Sequence, residues 1–247
     1  MTAIVYSFLA AAIPVVIAIT LHEAAHGYAA WALGDDTAKR MGRLSLNPLR
    51  HVDRVGTILL PGFLLLTQLV TIGRVVFMFG WAKPVPVSAW RFRDPRRGMM
   101  FVAAAGPAMN FFLAWLGALA LHLIPVFATT AHGAEMQLEF VSVFIIANLA
   151  LGLFNLIPIP PLDGGRVAVG LLPVAAARVW AKLERAGILM ILVLLFLLPA
   201  ALREFGIQYD PVRQYLGAAI LYAAHAVLWL AGSSPFLPFI FGDGSGL

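Results

Sequence analysis

The chain has no cysteine in 247 residues, which removes disulfides, thiolate metal sites and cysteine nucleophiles. Charge is scarce as well. Only 12% of residues are charged, about half the roughly 25% of an ordinary soluble domain, while 61% are hydrophobic. That balance excludes an ordinary soluble globular fold. It equally excludes disorder, which needs few apolar residues and high net charge. No basic residue precedes Lys39, so the basic n-region of a cleavable signal peptide is missing. The first apolar segment is therefore expected to stay in the mature protein. No repeat of 20–50 residues is visible, and no appended soluble domain is expected.

What is present is a series of long apolar runs, at 4–33, 55–79, 98–124, 140–161, 186–202 and 214–230. The first would reach roughly 45 Å as a helix, beyond the ~30 Å hydrocarbon core. Gly34 suits the residue just past its end, and Pro14 is a candidate kink. The chain reads as one all-α polytopic membrane domain over 1–247 with about five to six transmembrane helices. Two short stretches, 43–46 and 85–88, alternate as membrane-associated strands would, with Pro86 demoting the second to an edge.

The net charge of +5 comes from 17 Lys and Arg against 12 Asp and Glu. In a soluble protein that excess would raise the question of nucleic acid. Here the basic residues cluster: five at 35–54, five at 80–97 and four at 166–185, with none at 125–139. Cytoplasmic loops collect Lys and Arg. The excess is a topology signal, with a lipid bilayer as partner and no nucleic acid. Both flanks of 55–79 come out cytoplasmic, yet 25 residues cannot cross twice as full helices. A re-entrant segment turning near Pro61-Gly62 or Gly73 is expected, shielded by protein or a water-filled cavity, the alternative being an ordinary full span with one loop misassigned.

One apolar run carries chemistry. His22-Glu23-Ala24-Ala25-His26 is a His-Glu-x-x-His pattern. Residues four apart share a helix face, so both imidazoles reach one metal. Glu23 is rotated about 100° from His22, beside the metal, where it can polarise water without ligating. Imidazole nitrogens suit Zn²⁺, and two of them require at least one more protein ligand. Ionisable groups inside a bilayer are costly, and Glu23 is the only acidic residue well inside an apolar segment.

Asp163 is a candidate third ligand. It follows the proline-rich 155–162 stretch and precedes Gly164-Gly165, an irregular backbone expected only beside a cavity or site. By position alone it serves equally well as a turn or N-cap residue. Asn148 and Asn155 lie seven apart on one face, where either can donate to a substrate carbonyl or oxyanion. Interhelical bonding is the favoured role for Asn148, and the functional one for Asn155. Asn110 follows Gly106-Pro107, where close packing is expected. His51, His122, His132 and His225 lack a partner at metal spacing.

The motifs together resemble the site-2 protease family of intramembrane zinc metalloproteases, and within it the short bacterial members without regulatory domains. The resemblance rests on His22-Glu23-Ala24-Ala25-His26, Gly106-Pro107-Ala108-Met109-Asn110 and Asn155-Leu156-Ile157-Pro158-Ile159-Pro160-Pro161-Leu162-Asp163-Gly164-Gly165. It implies that His22, His26 and Asp163 bind Zn²⁺ and that Glu23 is the general base. It implies a three-helix catalytic core from 4–33, 98–124 and 140–157. The 34–97 stretch then holds cytoplasmic loop, re-entrant segment and short strands, 98–166 completes the core, and 186–232 adds two spans. It also implies a multi-pass protein of the bacterial cytoplasmic membrane, with its site nearer the cytoplasmic face. The expected activity is hydrolysis of peptide bonds in or near transmembrane segments of membrane proteins. The alternatives are a membrane metal transporter using the same ligands and an inactive scaffold.

Overall fold

The structure is a computed structural model that describes residues 2–71, 73 and 80–241. Helix α1 runs over Thr2–Ala32 and continues through the buried Pro14. Its buried face is lined by Ala10, Ala18, Ala24, Ala25 and Ala30, small residues that let a neighbouring helix approach closely. Gly34 ends it with φ +101°, and the Asp35 N–H reaches back to Ala30 O at 2.9 Å.

Helix α2 spans Arg54–Thr71 and opens with a π-helical turn, with Asp53 Oδ1 accepting from the N–H groups of Val55 and Gly56. Helix α3 covers Pro95–Ala120. Asp94 caps it by accepting from the N–H groups of Arg96 and Arg97. Helix α4 covers Ala131–Asn155, starting nine residues before the apolar run at 140. Thr130 Oγ1 caps the Gly133 N–H there, so the expected loop at 125–139 shrinks. Then follow α5 (Asp163–Leu171), α6 (Val174–Lys182), α7 (Gly187–Glu204, with a π turn over Val193–Leu197) and α8 (Pro211–Leu230).

Among the described residues four helices are long and apolar enough to cross a membrane: α2, α4, α7 and Pro95–Phe127, which extends α3. Helices α1 and α8 also have the length, at 31 and 20 residues. The chain is an all-α polytopic membrane protein. Helices α1, α3 and α4 pack against one another in all three pairings, and α5 lies against α3. An apolar core of Ala114, Leu121, Ile145, Leu149, Ala224 and Leu228 joins α3, α4 and α8. Phe63, Leu66, Val70, Ile188 and Trp229 are exposed, as side chains facing lipid should be.

The ends of the segment around α2 meet. The Trp81 N–H donates to Gly56 O at 3.1 Å and the Lys83 N–H to His51 O at 2.8 Å. The described flanks of this segment are therefore in contact with each other. The segment does not turn at Pro61-Gly62, which α2 passes through without a break. Gly73, at φ +72°, follows the end of the helix instead. Residues 72 and 74–79 lie outside the described residues.

Neither 43–46 nor 85–88 forms a strand; among the described residues there is none. Pro84 and Pro86 carry no N–H for a ladder. The carbonyl of Lys83 is taken by the Arg43 guanidinium at 2.8 Å.

Candidate metal centre

His22 and His26 sit one turn apart on α1, and Asp163 opens α5 after the Asn155–Leu162 break. Asp163 caps nothing with its side chain. Its Oδ2 lies 3.1 Å from His22 Nε2 and 3.3 Å from His26 Nε2, and the two Nε2 atoms are 3.0 Å apart. Among the described residues this is the one cluster of three potential metal ligands.

The protonation of both rings follows from their outer partners. His26 Nδ1 lies 2.7 Å from Val102 O, a carbonyl that only accepts, so Nδ1 carries the proton. His22 Nδ1 lies 2.6 Å from Asn110 Oδ1. The Asn110 amide is oriented by Nδ2, which donates to Asn148 Oδ1 at 2.9 Å and lies 3.4 Å from Ala18 O. Asn148 Nδ2 donates in turn to Phe144 O at 2.9 Å. With both Nδ1 atoms donating outward, the neutral rings turn two bare Nε2 lone pairs inward. They face a carboxylate oxygen that is buried and has no hydrogen-bond donor.

Three buried acceptors facing each other repel unless a cation sits among them. Zinc bonds of about 2.0–2.2 Å place tetrahedral ligands roughly 3.3–3.6 Å apart, close to the observed separations. Two imidazoles and one carboxylate also leave a fourth position open, the ligand count of a catalytic zinc site. The donor set fits Zn²⁺.

Glycines make room for this cluster. A Cβ on Gly106 of α3 would lie 2.5 Å from His26 Nε2 and 2.6 Å from His22 Cε1, so the rings lie against bare backbone. On Gly164 and Gly165 it would lie 2.2 Å from Leu156 O and 2.4 Å from Pro160 N, so the Asp163 segment folds tightly onto itself.

Glu23 is half-buried beside the cluster. Its Oε2 accepts from the Val85 N–H at 3.1 Å. Asn148 makes the interhelical bond described above. Asn155 donates from Nδ2 to Leu151 O at 3.0 Å, within its own helix. The sequence reading gave Asn110 a packing role and had no place for Val102 or Val85. Gly106-Pro107 marked the close approach, yet nothing local reveals a bond spanning 88 residues. Three other histidines have separate partners: His51 donates to Ser45 O, His122 Nε2 lies 2.8 Å from Ser233 Oγ, and His225 Nδ1 lies 2.8 Å from Leu221 O. His132 is exposed, 3.7 Å from Glu135.

A model of the family described as Peptidase family M50 matches residues 122–198, which include α4 and the Asp163 segment. The Bacillus subtilis protein named "Putative zinc metalloprotease YwhC" is 40% identical over 189 residues, covering 74% of this chain and 78% of that protein. The Mycolicibacterium smegmatis protein named "Putative zinc metalloprotease Rip2" is 31% identical over 188 residues, covering 76% of this chain and 66% of that protein. Its Mycobacterium tuberculosis namesake (strain H37Rv) is 30% identical over 186 residues, covering 74% and 64%. No solved structure matches the chain.

Proposed function

Because this chain belongs to peptidase family M50 and is an intramembrane zinc metalloprotease, we propose that His22, His26 and Asp163 hold its Zn²⁺ and that Glu23 is its general base. The observation that carries this assignment is the buried Asp163 Oδ2, which has no donor and lies 3.1 and 3.3 Å from two imidazole nitrogens. Asn110 and the Val102 carbonyl hold the ring tautomers that present Nε2 inward. When bound, Zn²⁺ polarises the scissile carbonyl and brings the pKa of a water down to about 7.

Glu23 takes that water's proton and later passes it to the leaving amine. Its place on α1, about 100° from His22, sets it beside the ligands and outside their set. Asn155 steadies the developing oxyanion through a change of side-chain rotamer that frees its amide from Leu151 O. The substrates are membrane proteins, cut within or near a transmembrane segment that must locally unwind to expose its peptide bonds.

The site lies nearer the cytoplasmic face of the bacterial cytoplasmic membrane. Support comes from the basic loops: Arg91 pairs with Asp36 just past the α1 C-terminus, and the Arg96 guanidinium ties the start of α3 to Leu172 O at 2.5 Å, just past α5. Residues 1–247 act as one membrane-embedded unit, with 98–166 completing the core that α1 begins and 186–232 supplying two further spans.

The test uses the purified full chain and Glu23→Gln. Both should bind one zinc, and only the wild type should cleave a model transmembrane substrate, with loss of at least about 100-fold in the variant. Cleavage retained by Glu23→Gln would remove Glu23 from the mechanism. A metal transporter would instead keep its metal transport in that variant.

A further inference from the structure

The stretch 80–88 crosses the end of α1 as an extended strap held at several points. Trp81 and Lys83 donate their N–H groups to Gly56 O and His51 O, as described above. Thr57 Oγ1 donates to Trp81 O at 2.8 Å, and the Ser88 N–H donates to Asp35 Oδ2 at 2.6 Å. Between these points the Val85 N–H meets Glu23 Oε2 at 3.1 Å. Pro84 and Pro86 have no N–H, so Val85 offers the one backbone donor of three consecutive residues. The Val85 side chain is buried, 8% exposed. It seats against Gly27, one turn beyond Glu23, where a Cβ would come within 3.1 Å of Val85 Cγ1 and 2.8 Å of Leu44 Cδ2. The bare backbone at Gly27 is what lets the strap approach α1 closely enough for the Glu23 bond.

We propose that the strap is a positioning element for the general base: the Val85 main-chain N–H fixes one oxygen of Glu23 and so aims the other at the reacting water. This rests on the assignment of Glu23 as base. A half-buried glutamate has three rotatable bonds, whose freedom is lost when its carboxylate is fixed. A donor fixed in advance by the surrounding fold removes that freedom before substrate arrives. Residues 51–57 acquire a role here, because they anchor the strap that holds the base. Val85 is a positioning residue, and its main chain acts through Glu23.

Three forms of the zinc-loaded full chain separate the N–H from the side chain. Val85→Ala keeps the N–H and trims the packing. Val85→Pro removes the N–H. Replacement of the Val85 amide by an ester, with the isopropyl group kept, removes the N–H without adding a ring. Zinc content, kcat and KM are measured on a model transmembrane substrate in vesicles, alongside Glu23→Gln. The ester and proline forms should lose about 10–100-fold in kcat, with KM and zinc content within about 2-fold of wild type. Val85→Ala should stay within about 3-fold in kcat. The ester form is decisive where the proline form fails to fold. An ester form with wild-type kcat, or with a loss confined to KM or zinc content, overturns the proposal. Retained cleavage by Glu23→Gln would instead strike the assignment beneath it, so the two failures are told apart.

Discussion

Asn110 connects three helices through two side-chain bonds. It accepts from His22 on α1 and donates to Asn148 on α4, and its own side chain is fully buried. Partners that fix the outer nitrogen of a ligating histidine tune metal affinity by about 10–100-fold. Asn110→Ala should therefore weaken Zn²⁺ binding by about that factor, read by competition with a chromogenic chelator. Asn148→Ala should do the same more weakly, since it only orients Asn110. Unchanged affinity in Asn110→Ala would show that the His22 tautomer is set by other means. The histidine pair was legible in the sequence because four-residue spacing is itself a geometric statement. Asp163 was readable as a candidate from the break around it, and Asn110 was not, because its partners lie 88 and 38 residues away.

At the scale of elements, the long apolar helices were legible, whereas α5 and α6 form in the basic stretch around 166–185 that was read as a loop. Apolar runs gave α1, α3, α7 and α8 to within a few residues, while caps such as Thr130 moved the start of α4. The alternation at 85–88 looked like a strand, but side chains and loop carbonyls take up the hydrogen bonds that a ladder would need. Asp35 shows how such a loop is held. Its carboxylate is fully buried and accepts from the Ser88 N–H, the Thr37 N–H at 3.0 Å and the Thr37 hydroxyl at 2.5 Å. Burial pushes this carboxyl up, but these donors and the Arg91 guanidinium outweigh it and hold it below the usual carboxylate value.

A depressed carboxyl contributes stability that is fully present above its unfolded pKa of about 3.9 and is lost as pH falls through its folded value. The melting temperature in detergent should then fall as pH drops below about 4. Asp35→Asn should melt lower than wild type at pH 6 and show a shallower loss on acidification. Parallel melting curves for the two proteins would remove Asp35 from the acid response.

For the whole molecule, the decisive question is which polar segments share a face of the membrane. The positive-inside count gave both flanks of α2 to one side, and the bonds from Trp81 to Gly56 and from Lys83 to His51 put those flanks in contact. Helix α2 has 18 residues, roughly 27 Å of rise, close to the ~30 Å thickness of a hydrocarbon core. The short turn between α3 and α4 carries no basic residue, and the same count assigns it to the opposite face.

The absence of cysteine makes this directly measurable, because a single introduced thiol has no background. Arg50→Cys, Lys83→Cys and His132→Cys all fall at exposed positions. In sealed, oriented vesicles an impermeant maleimide should label positions 50 and 83 from the same side and position 132 from the other. Labelling of 50 and 83 from opposite sides would make α2 a full crossing. It would also break the connection between the re-entrant segment and the strap over Glu23, since residues 51–57 could no longer anchor a strap on the same face.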